Sequence, residues 1–167
     1  SGGVVVSAGC LGHGRPTGCG VVVVASDGSL VAYGRGVPPS WIKGAAGAEA
    51  WAFVTRLRMC PEPPLTITDF LGVVRAVESG RSKATSARSA LARVWVLAFD
   101  ILDDVGYEAG RVRWMPAHGG QGSSGRAVTS DGLPLTVVHW RANRLVDLLA
   151  KNADHSGCQR KPGALSI

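Results

Sequence analysis

In Thr66-Ile67-Thr68-Asp69-Phe70, a short β-branched run ends in a carboxylate. Threonine and isoleucine favour extended backbone, so residues 65–68 predict a strand with Asp69 at its carboxyl end. An acid in that place is suited to holding a catalytic metal ion, because hard cations prefer oxygen ligands. Taken alone, Asp69 is equally well interpreted as the N-cap of a helix beginning at Phe70. Whether Asp69 is a metal ligand depends on which other acidic side chains lie close to it.

Composition limits the classes of function. The 167 residues are enough for one domain that buries roughly two-thirds of its unfolded surface. Eighteen Lys+Arg against twelve Asp+Glu give a net charge of +6, which favours an anionic partner, nucleic acid first. No apolar run of spanning length and no signal peptide is found, so we expect no membrane and an intracellular protein, cytoplasmic or nuclear.

The four cysteines form no CxxC pair, which indicates a reducing compartment. Cys10, His13 and Cys19 are considered as zinc ligands, but a fourth ligand with suitable spacing is missing. Cysteines of the core or of loops are therefore favoured over a metal site.

Valine-rich segments before Asp69 predict three strands, at residues 4–9, 20–26 and 30–36. Asp27-Gly28-Ser29 joins the last two, and Asp-Gly between apolar runs is a strong hairpin signal. An apolar stripe of i+3 and i+4 spacing predicts a helix over residues 45–59.

The second half of the chain predicts further elements in alternation. These are a short helix over residues 70–78, a longer amphipathic helix from about 86 to 104, a strand at 111–115 and a last helix from about 138 to 152. The Gly/Ser-rich residues 119–134 predict a mobile loop. We expect one domain over residues 1–153 and a flexible tail over 154–167.

Three carboxylates occupy distinctive positions: Glu49 in the first helix, Asp69 after a strand, and Asp147 in the last helix. Singly, Glu49 is interpretable as a solvated charge, and Asp147 as a partner of Arg144 or Lys151. Together, acids from separate elements suit two Mg²⁺ or Mn²⁺ ions that clamp the attacking and leaving oxygens of a phosphodiester.

His118 follows the fifth predicted strand and is suited to moving protons near neutral pH, although a lone histidine is more often structural.

The order of these elements and motifs resembles the ribonuclease H family, specifically its type 1 branch and the related domains of reverse-transcribing elements. The resemblance runs over residues 4–152. It rests on six pieces in order: Ser7-Ala8-Gly9-Cys10, Gly18-Cys19-Gly20, Ala48-Glu49-Ala50, Thr68-Asp69, Trp114-Met115-Pro116-Ala117-His118 and Asn143-Arg144-Leu145-Val146-Asp147-Leu148-Leu149-Ala150.

The resemblance implies an α/β fold with a five-stranded mixed sheet, three antiparallel strands followed by two parallel ones, flanked by helices. It implies a metal-dependent endoribonuclease that hydrolyses the RNA strand of RNA/DNA hybrids with two Mg²⁺ or Mn²⁺ ions. Glu49, Asp69 and Asp147 would be the metal ligands, and His118 the mobile histidine of the catalytic loop. Asn143 would support the substrate or Asp147.

One departure from the family concerns the first strand, which would carry the Asp shared by both ions; the matching residue here is Ala8. Asp27-Gly28-Ser29 looks like the family's signature, but Asp27 precedes Glu49 by only 22 residues, too few for the two strands required. Ala8 precedes it by 41, which fits. We therefore predict a chain that is inactive or nearly so. Deliberate Asp→Ala inactivation is favoured over a natural pseudoenzyme, because the other site residues survive.

A basic stretch is expected to contact nucleic acid phosphates; it contains Arg81, Lys83, Arg88 and Arg93. The alternative is a solvated helix face. This stretch and the long loop resemble retroelement domains more than a compact bacterial enzyme, which suggests a parent reverse-transcriptase polyprotein.

Two other functions stay open. One is a natural nucleic-acid-binding module without chemistry, in which Ala8 is native. The other is a DNA-cutting enzyme of the same fold, such as an integrase or resolvase, which Glu49 in the first helix and the histidine loop disfavour.

Overall fold

The computed structural model describes residues 4–12, 15–60, 65–116, 128–130, 132 and 134–153, with backbone only at residues 7–12, 15–17 and 109. His118, most of the predicted loop over residues 119–134 and the predicted tail over 154–167 lie outside the described residues.

In the described part of the chain, five strands form one mixed sheet with the spatial order β3-β2-β1-β4-β5. They are β1 (Val4–Gly12), β2 (Arg15–Val24), β3 (Leu30–Gly36), β4 (Leu65–Thr68) and β5 (Val112–Trp114). The first three strands pair antiparallel, whereas β4 pairs parallel with β1 and β5 parallel with β4. The predicted sheet is confirmed.

Within the described residues, five α-helices flank the sheet: α1 (Gly44–Met59), α2 (Leu71–Ser79), α3 (Arg81–Ala84), α4 (Ala92–Asp104) and α5 (Val137–Lys151). The helix predicted from about residue 86 was placed too early, since it begins only at Ala92. The amides of Ser89 and Ala92 bond to the carbonyls of Ser86 and Ser89, at 2.9 and 3.1 Å, so the intervening residues form turns.

The valine runs of β1 and β2 are continuous because both faces of the sheet are covered. Val5, Val21 and Val23 belong to the cluster that includes Met59 of α1. Val6 and Val22 pack in the cluster that contains Val146 of α5. Helix α1, backed by α4, therefore lies on one face, and α5 lies on the other.

The predicted hairpin between β2 and β3 is confirmed. The Gly28 amide donates to the Ala25 carbonyl at 2.9 Å, and the Ser29 amide donates to Asp27 Oδ1 at 2.8 Å. Hydrogen bonds from Ser29 lower the pKa of Asp27, and Gly28 has a φ of +85°, which suits glycine. Because Val24 pairs with Val4, the hairpin lies at the amino end of β1. Asp27 is therefore remote from the carboxyl end of β1.

Candidate active site

The register of the parallel strands brings Ala8 and Asp69 to one level. Val6 of β1 pairs with Ile67 of β4. Ala8 lies two residues beyond Val6, and Asp69 lies two residues beyond Ile67. Carboxyl ends of adjacent parallel strands meet at one edge of a sheet, which is where open α/β folds place their ligands.

The backbone around Asp69 is fixed by three hydrogen bonds. The indole Nε1 of Trp114 donates to the Asp69 carbonyl at 3.0 Å, and the Met115 amide donates to the Thr68 carbonyl at 2.9 Å. The Phe70 amide donates to Thr68 Oγ1 at 3.1 Å, which bends the chain where β4 ends. The N-cap position of α2 is Phe70, without a side-chain cap. The interpretation of Asp69 as an N-cap is therefore wrong.

Glu49 belongs to the same end of the sheet. It lies in the second turn of α1. The opposite end of α1, with Met59 and Cys60, packs in the cluster of Val5 near the amino end of β1, so α1 runs antiparallel to β1. Glu49 Oε2 is buried and the residue is only partly exposed. Glu49 is therefore a partly buried charge.

Two glycines of β2 let α5 approach the sheet closely. A Cβ on Gly20 would lie 2.7 Å from the Val146 carbonyl oxygen, and one on Gly18 would lie 2.0 Å from the Ala150 carbonyl oxygen. Gly20 is also the register partner of Ala8. The contact therefore sets Val146, and with it the adjacent Asp147, at the level of Ala8.

The two flanks of α5 differ in chemistry. Val138 and Leu145 line a cleft with Val24 and Leu30, on the side of the β2–β3 hairpin. Residues two positions apart on an α-helix are about 200° apart around the axis, so Asn143 and Asp147 occupy the other flank, towards β4 and β5. Asp147 is therefore on the side of α5 that faces Asp69.

Asn143 accompanies Asp147 one turn away on this flank. The Asn143 side chain is 4% exposed, and its Oδ1 has no hydrogen-bond partner within the described part of the chain. An unsatisfied buried acceptor costs about 1–3 kcal/mol. Such an atom suits a site that receives a donor from a ligand.

Glu49, Asp69 and Asp147 thus share one end of the molecule, on three separate elements. Among the described residues, no three His, Cys, Asp or Glu side chains are close enough together to hold a metal ion. His118 lies outside those residues, so its role stays a prediction. For the zinc alternative, Cys19 is buried with its Sγ 3.6 Å from Thr55 Oγ1. His13 lies outside the described residues, and Cys10 is described only in its backbone.

In the basic stretch, Arg81 is paired with carboxylates, whereas Lys83 and Arg88 form no ion pair among the described residues. Arg81 donates to Asp100 at 2.7 Å and to Asp103 at 2.9 Å, and these hydrogen bonds raise its pKa. Lys83 and Arg88 are exposed. Arg81 therefore ties α3 to α4, leaving the other two available to solvent.

Arginine–tryptophan stacking joins two parts of the α1 and α4 layer. The Arg93 guanidinium lies 4.0 Å from the centre of the Trp41 ring, and Arg58 lies 5.1 Å from that of Trp51. The two rings meet edge to face, with centroids 5.6 Å apart. Sequence reasoning did not identify Arg58 or the two tryptophans, because no short-range pattern connects residues 41 and 93.

Comparison with solved structures identifies the architecture. The structure of RNase H1 from the halophilic archaeon Halobacterium salinarum NRC-1 superposes with a TM-score of 0.52 at 19% sequence identity, covering 90% of this chain and 96% of that one. The chain has the ribonuclease H fold. The N-terminal RNase H domain of rv2228c from Mycobacterium tuberculosis, solved as a fusion with maltose-binding protein, gives a TM-score of 0.49 at 18% identity, covering 91% and 98%.

The sequence itself matches no protein-family model and no curated protein. No helix of the described residues is long and apolar enough to cross a membrane.

Proposed function

We propose that this chain carries the framework of a metal-dependent endoribonuclease that hydrolyses the RNA strand of RNA/DNA hybrids, with its activity abolished or nearly abolished by alanine at position 8. The observation that carries the proposal is the common level of Ala8, Asp69 and Asp147, given by the β1–β4 register and the contact of Gly20 with Val146. The ribonuclease H fold and the net charge of +6 are consistent with it.

The donor chemistry fits Mg²⁺ or Mn²⁺, because Glu49, Asp69 and Asp147 offer carboxylate oxygens and the buried Asn143 Oδ1 adds a neutral acceptor. In the active form, two such ions would supply charge stabilisation for the attacking and leaving oxygens. The three acids would hold them from a strand end and from helices on both faces of the sheet, after their side chains move closer together than they lie in this structure. Asn143 would accept a hydrogen bond from the substrate or from a group held by Asp147.

His118 would act as a general acid or base, taking a proton or giving one to the departing product near neutral pH. The indole of Trp114, by holding the Asp69 carbonyl, would keep that acid aligned.

Alanine at position 8 offers no carboxylate oxygen where the family would have an aspartate ligand. The missing negative charge should weaken the binding of the ions and the positioning of the attacking water. Replacement of an original aspartate accounts well for the survival of Glu49, Asp69, Asp147 and His118, since a natural pseudoenzyme tends to lose several such residues.

The substrate surface would include Lys83, Arg88 and Arg93. Phosphate contacts would supply a salt-dependent affinity, and contacts to 2′-hydroxyls would distinguish RNA from DNA. Arg93 is favoured because its guanidinium is held on Trp41, which reduces the side-chain freedom lost on binding. We further propose that the chain is intracellular, in the cytoplasm or nucleus, and derives from a retroelement reverse-transcriptase polyprotein.

The test is Ala8→Asp, assayed with Mg²⁺ or Mn²⁺ on an RNA/DNA hybrid, with duplex DNA and single-stranded RNA as control substrates. We expect cleavage of the RNA strand in the hybrid only, and cleavage near background by the parent chain. Ala8→Asn is the matched control, since it adds a similar volume without the charge. Cleavage of duplex DNA instead would favour a DNA-cutting enzyme of the same fold.

A second candidate is a binding module without chemistry, which the native occurrence of Ala8 would favour. It predicts that Ala8→Asp binds hybrid and cuts nothing at any concentration of either metal.

A further inference from the structure

A third arginine–tryptophan stack lies on α5. The Arg144 guanidinium is 5.6 Å from the centre of the Trp140 ring. Residues 140, 144 and 147 are spaced i, i+4 and i+7, so this stack shares a flank of the helix with Asp147. The stack lies away from the α1 and α4 layer, where Arg93 and Arg58 are stacked.

The Arg144–Trp140 pair lies on the flank of α5 that carries Asn143 and Asp147. Ala142, Val146 and Ala150 are the buried line of α5 against the sheet, at 3%, 0% and 1% exposure. Going round the helix from that line towards β4 and β5, Asn143 and Asp147 come next and Arg144 comes last, exposed to solvent. An extended ligand lying on Asp147 from outside would therefore meet Arg144.

Arg144 is exposed. Within the described part of the chain it forms no ion pair with a carboxylate, and its guanidinium contacts the Trp140 ring. A guanidinium that lies over an aromatic face leaves its N–H groups able to donate to the oxygens of a phosphate.

We propose that Arg144, held on Trp140, is a phosphate-binding residue that grips the nucleic acid backbone beside Asp147. This inference rests on the proposed function for the class of its ligand, a phosphodiester strand. It adds a contact on α5 to the basic surface on the α3 and α4 side. The nucleic acid backbone would then be bound on both sides of the three acids Glu49, Asp69 and Asp147.

Arg141 provides a matched control on the same helix. It is an exposed arginine like Arg144, but it lines the cleft on the hairpin flank with Val138 and Leu145. Arg141→Gln and Arg144→Gln remove the same charge from the same element, so a difference between them reports location rather than net charge.

The experiment is fluorescence anisotropy of a labelled RNA/DNA hybrid titrated with the parent chain and each variant, between about 50 and 200 mM NaCl. Alanine at position 8 is expected to keep the labelled strand intact during the titration. We expect Arg144→Gln to reduce the slope of log K against log salt by about 0.9, the value for one lost phosphate contact on a duplex, and Arg141→Gln to leave it nearly unchanged. Arg144→Lys should keep the slope but bind the hybrid more weakly. A lysine ammonium keeps the charge but lacks the planar guanidinium that can donate two parallel hydrogen bonds to a phosphate.

Equal slopes for the Arg144→Gln and Arg141→Gln variants would overturn the inference while leaving the proposed function standing. A parent chain that fails to bind hybrid even at the lowest salt would overturn both. A far-UV circular dichroism spectrum and a thermal melt of Arg144→Gln that match the parent exclude unfolding as the cause of any loss.

Discussion

The contact between β2 and α5 yields a prediction of defined size. In Gly20→Ala, the new Cβ would lie 2.7 Å from the backbone oxygen of Val146 and 3.1 Å from its Cγ2. Carbon–oxygen contacts in proteins are about 3.3 Å or longer, so α5 must retreat by about 0.6 Å. Overpacking of this kind costs about 1–3 kcal/mol, offset by about 0.4–1 kcal/mol because alanine restricts the unfolded chain. We expect a net loss of about 1–2 kcal/mol.

Urea denaturation followed by circular dichroism measures this loss as a lower urea midpoint with an unchanged m-value. The melting temperature should fall by about 2–4 °C per kcal/mol. Gly18→Ala should be worse, because its Cβ would lie 2.0 Å from the Ala150 carbonyl oxygen. Gly110→Ala is the control, since none of the described residues has an atom within 4 Å of its Cβ. If Gly20→Ala and Gly110→Ala have the same stability, α5 is not seated on β2 as described.

Three further predictions concern single side chains. Burial lowers the pKa of His139, whose neutral Nδ1 accepts a hydrogen bond from the Thr136 amide. The unfolded chain therefore takes up a proton at a higher pH than the folded chain, so the free energy of unfolding should fall as pH drops through about 6.5 towards the folded pKa. A urea midpoint against pH should flatten in His139→Gln, and an equally steep profile would contradict the assignment. Trp114→Phe removes the indole bond to the Asp69 carbonyl and should cost about 0.5–1.5 kcal/mol of stability; in the Ala8→Asp background it should lower kcat more than it raises KM, whereas a change in KM alone would argue against positioning. Arg88→Gln should reduce the salt slope of hybrid binding by about 0.9, and Arg81→Gln should reduce it less because that charge is already paired; the reverse order would contradict the proposed surface.

Local chemistry made most of the fold predictable. The strand ending at Thr68 follows from its β-branched run, and the hairpin follows from Asp27-Gly28, whose turn depends on residues within three positions. The start of α4 was placed too early because single serines are tolerated in helices, whereas the structure has backbone turn bonds from Ser89 to Ser86 and from Ala92 to Ser89 before the helix begins.

The candidate site was predictable only in part. Glu49, Asp69 and Asp147 could be named from their places on predicted elements, but their common level depends on a strand register that pairs residues about sixty apart in sequence. The need for glycine at positions 18 and 20 could not be predicted, because it comes from close contact with a helix more than a hundred residues later. The stacks of Arg93 on Trp41 and Arg144 on Trp140 were missed as well, because neither spacing is a recognised binding motif.

The central claim is that position 8 and Asp69 belong to one catalytic site. The measurement that tests it most directly is single-turnover cleavage of an RNA/DNA hybrid by Ala8→Asp, compared with the double variant that also carries Asp69→Asn, at the same Mg²⁺ concentration. We predict that Ala8→Asp cuts the RNA strand and that adding Asp69→Asn returns the rate to that of the parent chain. Cleavage that persists in the double variant, or that never appears in Ala8→Asp although the hybrid is bound, would contradict the account.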